Sequence, residues 1–255
     1  MTKFLQDVRQ YSKTLSRVVV LHGGPGGAGE VEPFAQELGH MGYDVLEPFQ
    51  TRQSVAGQVD ELRSQIEQYC EPPVVVIGWS WGAWLGCLLA AQHDDLVRSL
   101  ILVGSGPLKV SYAKAIRNTK NTRLSAEFLA LRPMTQSSLD VARFIKLSDV
   151  ADTYARDTSP PPKVAYDEEI RSAVWPEAEE MRKNGSLLEA ISTIRCPVLA
   201  IHGEDDPRPS AGVRLPLQAA LPSAAFVEIR QCGHKPWQEI YAKDEFYRLI
   251  QKAIA

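Results

Sequence analysis

Ser80 stands at the centre of Gly78-Trp79-Ser80-Trp81-Gly82. The apolar, β-branched run Val74 to Ile77 precedes it, and Ala83, Leu85, Leu88, Leu89 and Ala90 follow at helical spacing. The pattern predicts a strand running straight into a helix with the serine at the corner. Such a corner strains the serine backbone, leaves no room for side chains at Gly78 and Gly82, and pushes the hydroxyl outward as a nucleophile.

A serine hydroxyl attacks only when a base takes its proton, and histidine titrates in the right range. Of five histidines, His22 and His202 close predicted strands just before glycines. His40 and His93 fall at predicted helix C-termini, where a partial positive charge is favoured. His234 differs: it lies in Cys232-Gly-His-Lys-Pro-Trp237, between the last predicted strand and the last predicted helix, and is the candidate base. An acid must orient that base, and His202-Gly-Glu-Asp-Asp-Pro207 offers Glu204, Asp205 and Asp206 just after a strand. Asp206 is favoured because Pro207 stiffens the backbone beside it, with Asp205 in reserve. Oxyanion donors are expected from the N–H of Trp81, at a helix N-terminus, and from Gly24 in the loop Gly23-Gly-Pro-Gly-Gly27. That loop lacks the Gly-Lys-Ser/Thr ending of a phosphate cradle, so no nucleotide is expected in it.

The elements that must hold these groups alternate. Strands are predicted at Arg17–His22, Tyr43–Leu46, Val74–Ile77 and Leu100–Val103, with helices at Glu30–His40, Ser54–Cys70 and after Ser80. Strand-helix alternation implies parallel pairing through right-handed crossovers, which brings the loops after the strands to one crevice. The rhythm breaks from Leu108 to Ile194, read as a helical insertion, and resumes with strands at Pro197–His202 and Ala225–Arg230 and a final amphipathic helix through Phe246, Leu249, Ile250 and Ile254. Phe4, Leu5, Val8, Tyr11 and Leu15 recur at roughly helical intervals, so a short helix is expected at the N-terminus.

Composition narrows the possibilities. A chain of 255 residues, 44% hydrophobic and 23% charged, suits one domain with or without an insertion. The net charge is −3, and no basic stripe interleaves with aromatics, so a nucleic-acid partner is not expected. No 18-residue apolar run and no signal-like h-region occur, which argues against a membrane span or export. Cys70, Cys87, Cys196 and Cys232 are widely spaced, against a zinc site or disulfide framework and in favour of a reducing cytoplasm. No heptad or exposed apolar stripe marks an oligomer interface.

Four motifs in chain order, His22-Gly-Gly-Pro-Gly-Gly27, Gly78-Trp-Ser-Trp-Gly82, His202-Gly-Glu-Asp-Asp206 and Cys232-Gly-His234, resemble the α/β-hydrolase fold in its order Ser, Asp, His. The first two look most like the proline iminopeptidase branch, whose members are serine peptidases or related hydrolases with a helical cap. The resemblance implies Ser80 as nucleophile, His234 as base, Asp206 as acid, Gly24 and Trp81 as oxyanion donors, and neither cofactor nor metal. It implies an α/β core of residues 1–107 and 195–255 with a cap at 108–194. About six strands, mostly parallel, are expected, and the family's first antiparallel pair is expected to be missing because the chain starts almost at the strand before the glycine loop. The implied function is cleavage of an ester, amide or related acyl bond of a small molecule through an acyl-enzyme on Ser80. The alternatives are a cofactor-free hydrolase of carbon-carbon bonds with the same triad, and a non-catalytic binding protein of this fold. Iminopeptidases hold a substrate amine with cap glutamates; Glu177, Glu179 and Glu180 are candidates here, a solvated helix face being the other reading. Tyr112, Phe128, Leu129, Met134, Phe144 and Tyr154 are expected in the cap core or pocket lining.

Overall fold

Successive residues of a strand point to opposite faces of its sheet, and here both faces are apolar. Val18 and Val20 of the strand Ser16–Leu21 belong to one buried cluster, Val19 and Leu21 to another. Cys70–Trp79 repeats the division with Val75 and Ile77 against Val74 and Val76, and Val97–Val103 with Ile101 and Val103 against Leu100 and Leu102. Strands buried on both faces need cover on both. The helices Val55–Tyr69 and Trp81–Gln92 supply it on one side, Glu32–His40 and Lys243–Ile254 on the other.

The computed structural model describes residues 3–5, 7–12, 14–123, 148–159 and 162–255. Numbered along the chain, its strands are β1 Lys3–Leu5, β2 Val8–Gln10, β3 Ser16–Leu21, β4 Gly27–Ala28, β5 Val45–Pro48, β6 Cys70–Trp79, β7 Val97–Val103, β8 Ala165–Tyr166, β9 Val198–Gly203 and β10 Ala225–Ile229. Eight form one sheet in the order β1-β2-β5-β3-β6-β7-β9-β10, while β4 and β8 form a two-stranded ribbon. From β5 to β10 every pairing is parallel, so the sheet holds the six parallel strands expected.

The N-terminus departs from expectation. It forms no helix but the antiparallel pair β1–β2, with Leu5 opposite Val8, and β2 pairs antiparallel with β5. The first antiparallel pair of the fold is therefore present, and the sheet has eight strands, not six. Spacing alone misled because Val8 is buried while Leu15, assigned to the same helical face, is 52% exposed. Pairing of Arg9 opposite Glu47, with an ion pair between them, fixes the segment as a strand where local periodicity favoured a helix.

Between β7 and β9 lie the helices Ala113–Arg123, Glu168–Asn184 and Ser186–Ser192. Leu187 and Ile191 of the last share a cluster with the helix after Ser80. Phe128, Leu129, Met134 and Phe144 lie outside the described residues; Tyr154 is exposed and Tyr112 partly buried. A helix unforeseen in the sequence, Ala211–Ala220 with Pro216 inside it, makes the crossover from β9 to β10.

Candidate active site

Ser80 sits between the last residue of β6 and the first of the helix Trp81–Gln92 with φ 55 and ψ −113, a region non-glycine residues rarely adopt. Close packing enforces the corner. A Cβ on Gly78 would lie 2.1 Å from the Gly82 carbonyl oxygen, and one on Gly82 would lie 2.6 Å from the carbonyl oxygens of Leu21 and His22. Ser80 N–H donates to the Val103 carbonyl at 3.0 Å, tying the turn to the end of β7. Trp81 opens the helix, so its N–H is among the first amides left without an intrahelical acceptor.

His234 follows β10 and is held by its backbone at both ends. Its N–H donates to the Asp152 carbonyl at 2.7 Å, and its carbonyl accepts from Trp79 Nε1 at 2.8 Å. The Trp79 and His234 rings lie 4.9 Å apart between centroids, so the residue before the serine carries the imidazole. Gly104 makes room for it, since a Cβ there would approach Nδ1 to 2.9 Å.

Of the three acids after β9, Glu204 is exposed and Asp205 partly so, whereas Asp206 is buried and meets the imidazole, with Oδ2 2.6 Å from His234 Nδ1. Asp206 Oδ1 accepts from Arg208 N–H at 2.9 Å. Burial alone would raise Asp206, but His234 and Arg208 outweigh it and hold the carboxyl well below the usual range. An ionised carboxylate can only accept, so Nδ1 carries the ring proton and Nε2 the lone pair. Burial, and then the Arg208 charge, bring His234 down to about 4, which keeps the ring neutral near pH 7.

Arg208, Asp152 and Lys120 have no place in the sequence reading. Arg208 Nη1 donates to Asp152, whose other oxygen accepts from Lys120 Nζ at 2.8 Å, forming a chain of alternating charge behind the histidine. Burial, with Arg208 nearby, brings Lys120 down to about 8. Glu239 was also missed. Its carboxylate accepts from the N–H groups of Gly233, Tyr154 and Ala155, fastening the His234 loop to residues 154–155. Arg208 could have been found from its place two residues after Asp206; Asp152, in the insertion, left no local signal.

Gly24 and Trp81 line the same 530 Å³ cavity as Ser80, with Trp84 and Trp175 on its wall. The glycines of Gly24-Pro-Gly-Gly-Ala-Gly29 do have dinucleotide-loop spacing. The loop is already filled from the other side: residues 27–28 pair with 165–166, and Asp167 N–H donates to the Gly26 carbonyl at 2.8 Å. His22 braces this loop, accepting from Gln50 N–H at Nε2 and donating from Nδ1 to the Gly23 carbonyl. Glu177 accepts from Val55 N–H at 2.8 Å, Glu179 pairs with Arg182 and lines the cavity, and Glu180 pairs with Lys183. Among the described residues no three His, Cys, Asp or Glu gather as metal ligands, and no helix is long and apolar enough to cross a membrane.

Comparison with known proteins agrees with this architecture. The sequence model of the alpha/beta hydrolase family matches residues 18–249. A pimeloyl-[acyl-carrier protein] methyl ester esterase of Chromobacterium violaceum is 29% identical over 170 residues, 65% of this chain and 64% of that protein. A 2-hydroxymuconate semialdehyde hydrolase of Pseudomonas putida is 27% identical over 189 residues, 71% of this chain and 62% of that protein. The chain thus spans somewhat under two thirds of the length of these relatives. The crystal structure of a proline iminopeptidase of Mycobacterium smegmatis superposes with a TM-score of 0.67 at 16% identity, covering 99% of this chain and 96% of that one. The iminopeptidase likeness of the glycine loop is therefore one among several, and at that identity it speaks to the fold. With a family match running from the strand before the glycine loop into the final helix, the chain belongs to the alpha/beta hydrolase family.

Proposed function

We propose that the protein is a serine hydrolase that cleaves an ester, amide or related acyl bond of a small molecule, with Ser80 as nucleophile, His234 as base and Asp206 as orienting acid. The observation that carries the reading is the serine held at φ 55 on the wall of a cavity, with the residue before it packed on the histidine. His234 Nε2 takes the serine proton as the acyl carbon is attacked, and the imidazolium is stabilised by Asp206. The N–H groups of Gly24 and Trp81 receive the developing oxyanion. The proton then passes to the leaving group, and water releases the acyl group by the same steps in reverse. Residues 1–107 and 195–255 act as the core and 108–194 as a cap over the cavity. Four unpaired cysteines suit a reducing cytoplasm.

Likeness to a methyl ester esterase favours an ester as the bond. Likeness to a semialdehyde hydrolase supports a second reading, cleavage of a carbon-carbon bond by the same residues. A fluorophosphonate probe separates catalysis from mere binding: it is expected to label Ser80 alone. A panel of p-nitrophenyl esters, aminoacyl anilides and vinylogous diketones then identifies the bond. Absence of labelling at Ser80, together with turnover of nothing on the panel, would overturn the hydrolase reading.

A further inference from the structure

The cavity above Ser80 carries a charge opposite to that of the whole chain. The formal net charge is −3, yet the lining includes Arg117, Lys120, Arg171, Arg182 and Arg208 against one acid, Glu179. Two of these cations are neutralised from behind, Lys120 and Arg208, by Asp152 and Asp206. Three remain. They come from two helix faces: Arg117 lies three residues before Lys120 on Ala113–Arg123, and Arg171, Trp175, Glu179 and Arg182 recur at intervals of four, four and three on Glu168–Asn184.

Arg182 is set into the wall. Its side chain is 6% exposed, and its guanidinium lies 5.5 Å from the Trp84 ring, which stacks on Trp175 at 6.0 Å. Its one carboxylate partner, Glu179, is half exposed, and its Nε–H is buried with no acceptor. A buried donor without an acceptor costs stability, so its retention beside an open cavity points to an acceptor brought by a ligand. Arg117 pairs with no carboxylate among the described residues, and Arg171 only with the exposed Glu168 at 3.6 Å.

We propose that this wall is a subsite for an oxyanion, carboxylate or phosphate, carried by the substrate away from the bond that is cleaved, with Arg182 as anchor and Arg117 and Arg171 adding charge. The planar guanidinium fork matches either oxyanion, and Trp84 and Trp175 cover the apolar segment between the anion and the acyl carbon. A neutral substrate without an acceptor there would leave the buried Arg182 Nε–H unsatisfied. The inference rests on the hydrolase reading for its use in catalysis, though the subsite itself binds whether or not Ser80 reacts.

The test therefore reads binding directly. Trp81, Trp84 and Trp175 line the cavity, so tryptophan fluorescence can follow titration with glutarate, glycerol 3-phosphate and dimethyl glutarate, the uncharged control. At least one of the two anions is expected to bind about tenfold or more tightly than the diester, and the stronger identifies the oxyanion. Affinity should fall several-fold between 50 mM and 500 mM salt, on the order expected for partly screened pairs. Arg182→Met should remove most of the preference for the anion. Should that variant fail to fold, Arg117→Gln and Arg171→Gln, both at exposed side chains, should each weaken the anion about threefold and leave the diester alone. Equal affinity for charged and uncharged probes, or anion affinity unmoved by these substitutions, would overturn the subsite. Labelling of Ser80 and turnover of the panel are scored separately: either of them without anion preference sinks only the subsite, and anion preference with neither sinks only the hydrolase.

Discussion

Ser80, which lines the cavity, and the buried His234–Asp206 pair, together the floor, stand on loops whose backbones have no room to shift: a Cβ on Gly78, Gly82 or Gly104 would strike a neighbour within 3 Å. Above them, the helices Ala113–Arg123 and Glu168–Asn184 present long charged side chains, and most of Glu168–Asn184 is exposed on its outer face. The floor is positioned by sterics and short hydrogen bonds, which resist change in geometry. The upper wall is positioned by ion pairs and aromatic stacking, which tolerate it. Chemistry that needs atoms held to a fraction of an ångström belongs on the first, and selection among substrates can be served by the second.

That contrast breaks most sharply at Ser80. Ser80→Ala removes the proposed nucleophile and leaves the cavity wall intact, so kcat is expected to fall by at least about three decades while probe binding persists. Equal losses in both would mean the floor and wall are not separable. Asp206→Asn comes next. It keeps the shape but lets the side chain donate to His234 Nδ1, favouring the wrong tautomer, and kcat should drop about 10² to 10⁴-fold with little change in KM. A KM effect larger than the kcat effect would shift Asp206 from orienting the base to shaping the wall.

The floor was legible in the sequence and much of the wall was not, for a physical reason. Where chain passes chain, only glycine fits, and where a strand must turn into a helix on a serine, the apolar runs on either side declare it; Gly78, Ser80, Gly82 and the loops bearing Asp206 and His234 follow. Arg182 and Arg171 look like any charged residues on a helix, since their meaning depends on which face meets the cavity, and Asp152 acts on Arg208 from 56 residues away. The N-terminal strands escaped because β2 is specified by its partner β5, a pairing no local period reports.

Between floor and wall runs the charge chain Asp206, Arg208, Asp152, Lys120, and pH is the way to read it. A base acts unprotonated. With burial and Arg208 holding His234 down to about 4, activity should stay level as pH falls past 6.5 and disappear only as it passes about 4. Arg208 lowers His234, so Arg208→Met should move this acid limb upward, costing about twofold in kcat/KM near pH 5 for a displacement of one unit and about tenfold for two, while the plateau near pH 8 changes less. An acid limb that stays put would mean burial alone sets the imidazole.

The smallest expected effect tests how the wall is attached. At its start, Glu168–Asn184 follows the ribbon β4–β8 on the glycine loop, and midway the Glu177 carboxylate accepts from Val55 N–H, the first amide of the helix Val55–Tyr69. Ser54 caps the same helix by accepting from Gly57 N–H, so Glu177 is a second and external cap, favoured by the partial positive charge at that end. Glu177→Gln keeps the size and some hydrogen bonding but removes the charge. Because the side chain is exposed, the loss should be only about 0.5–1 kcal/mol, a fall in Tm of roughly 1–4 °C at this size, with fluorophosphonate labelling at Ser80 proceeding as before. If labelling slowed as well, the attachment of the wall would be setting the floor's geometry, and the separation drawn between the two would give way to a single coupled unit.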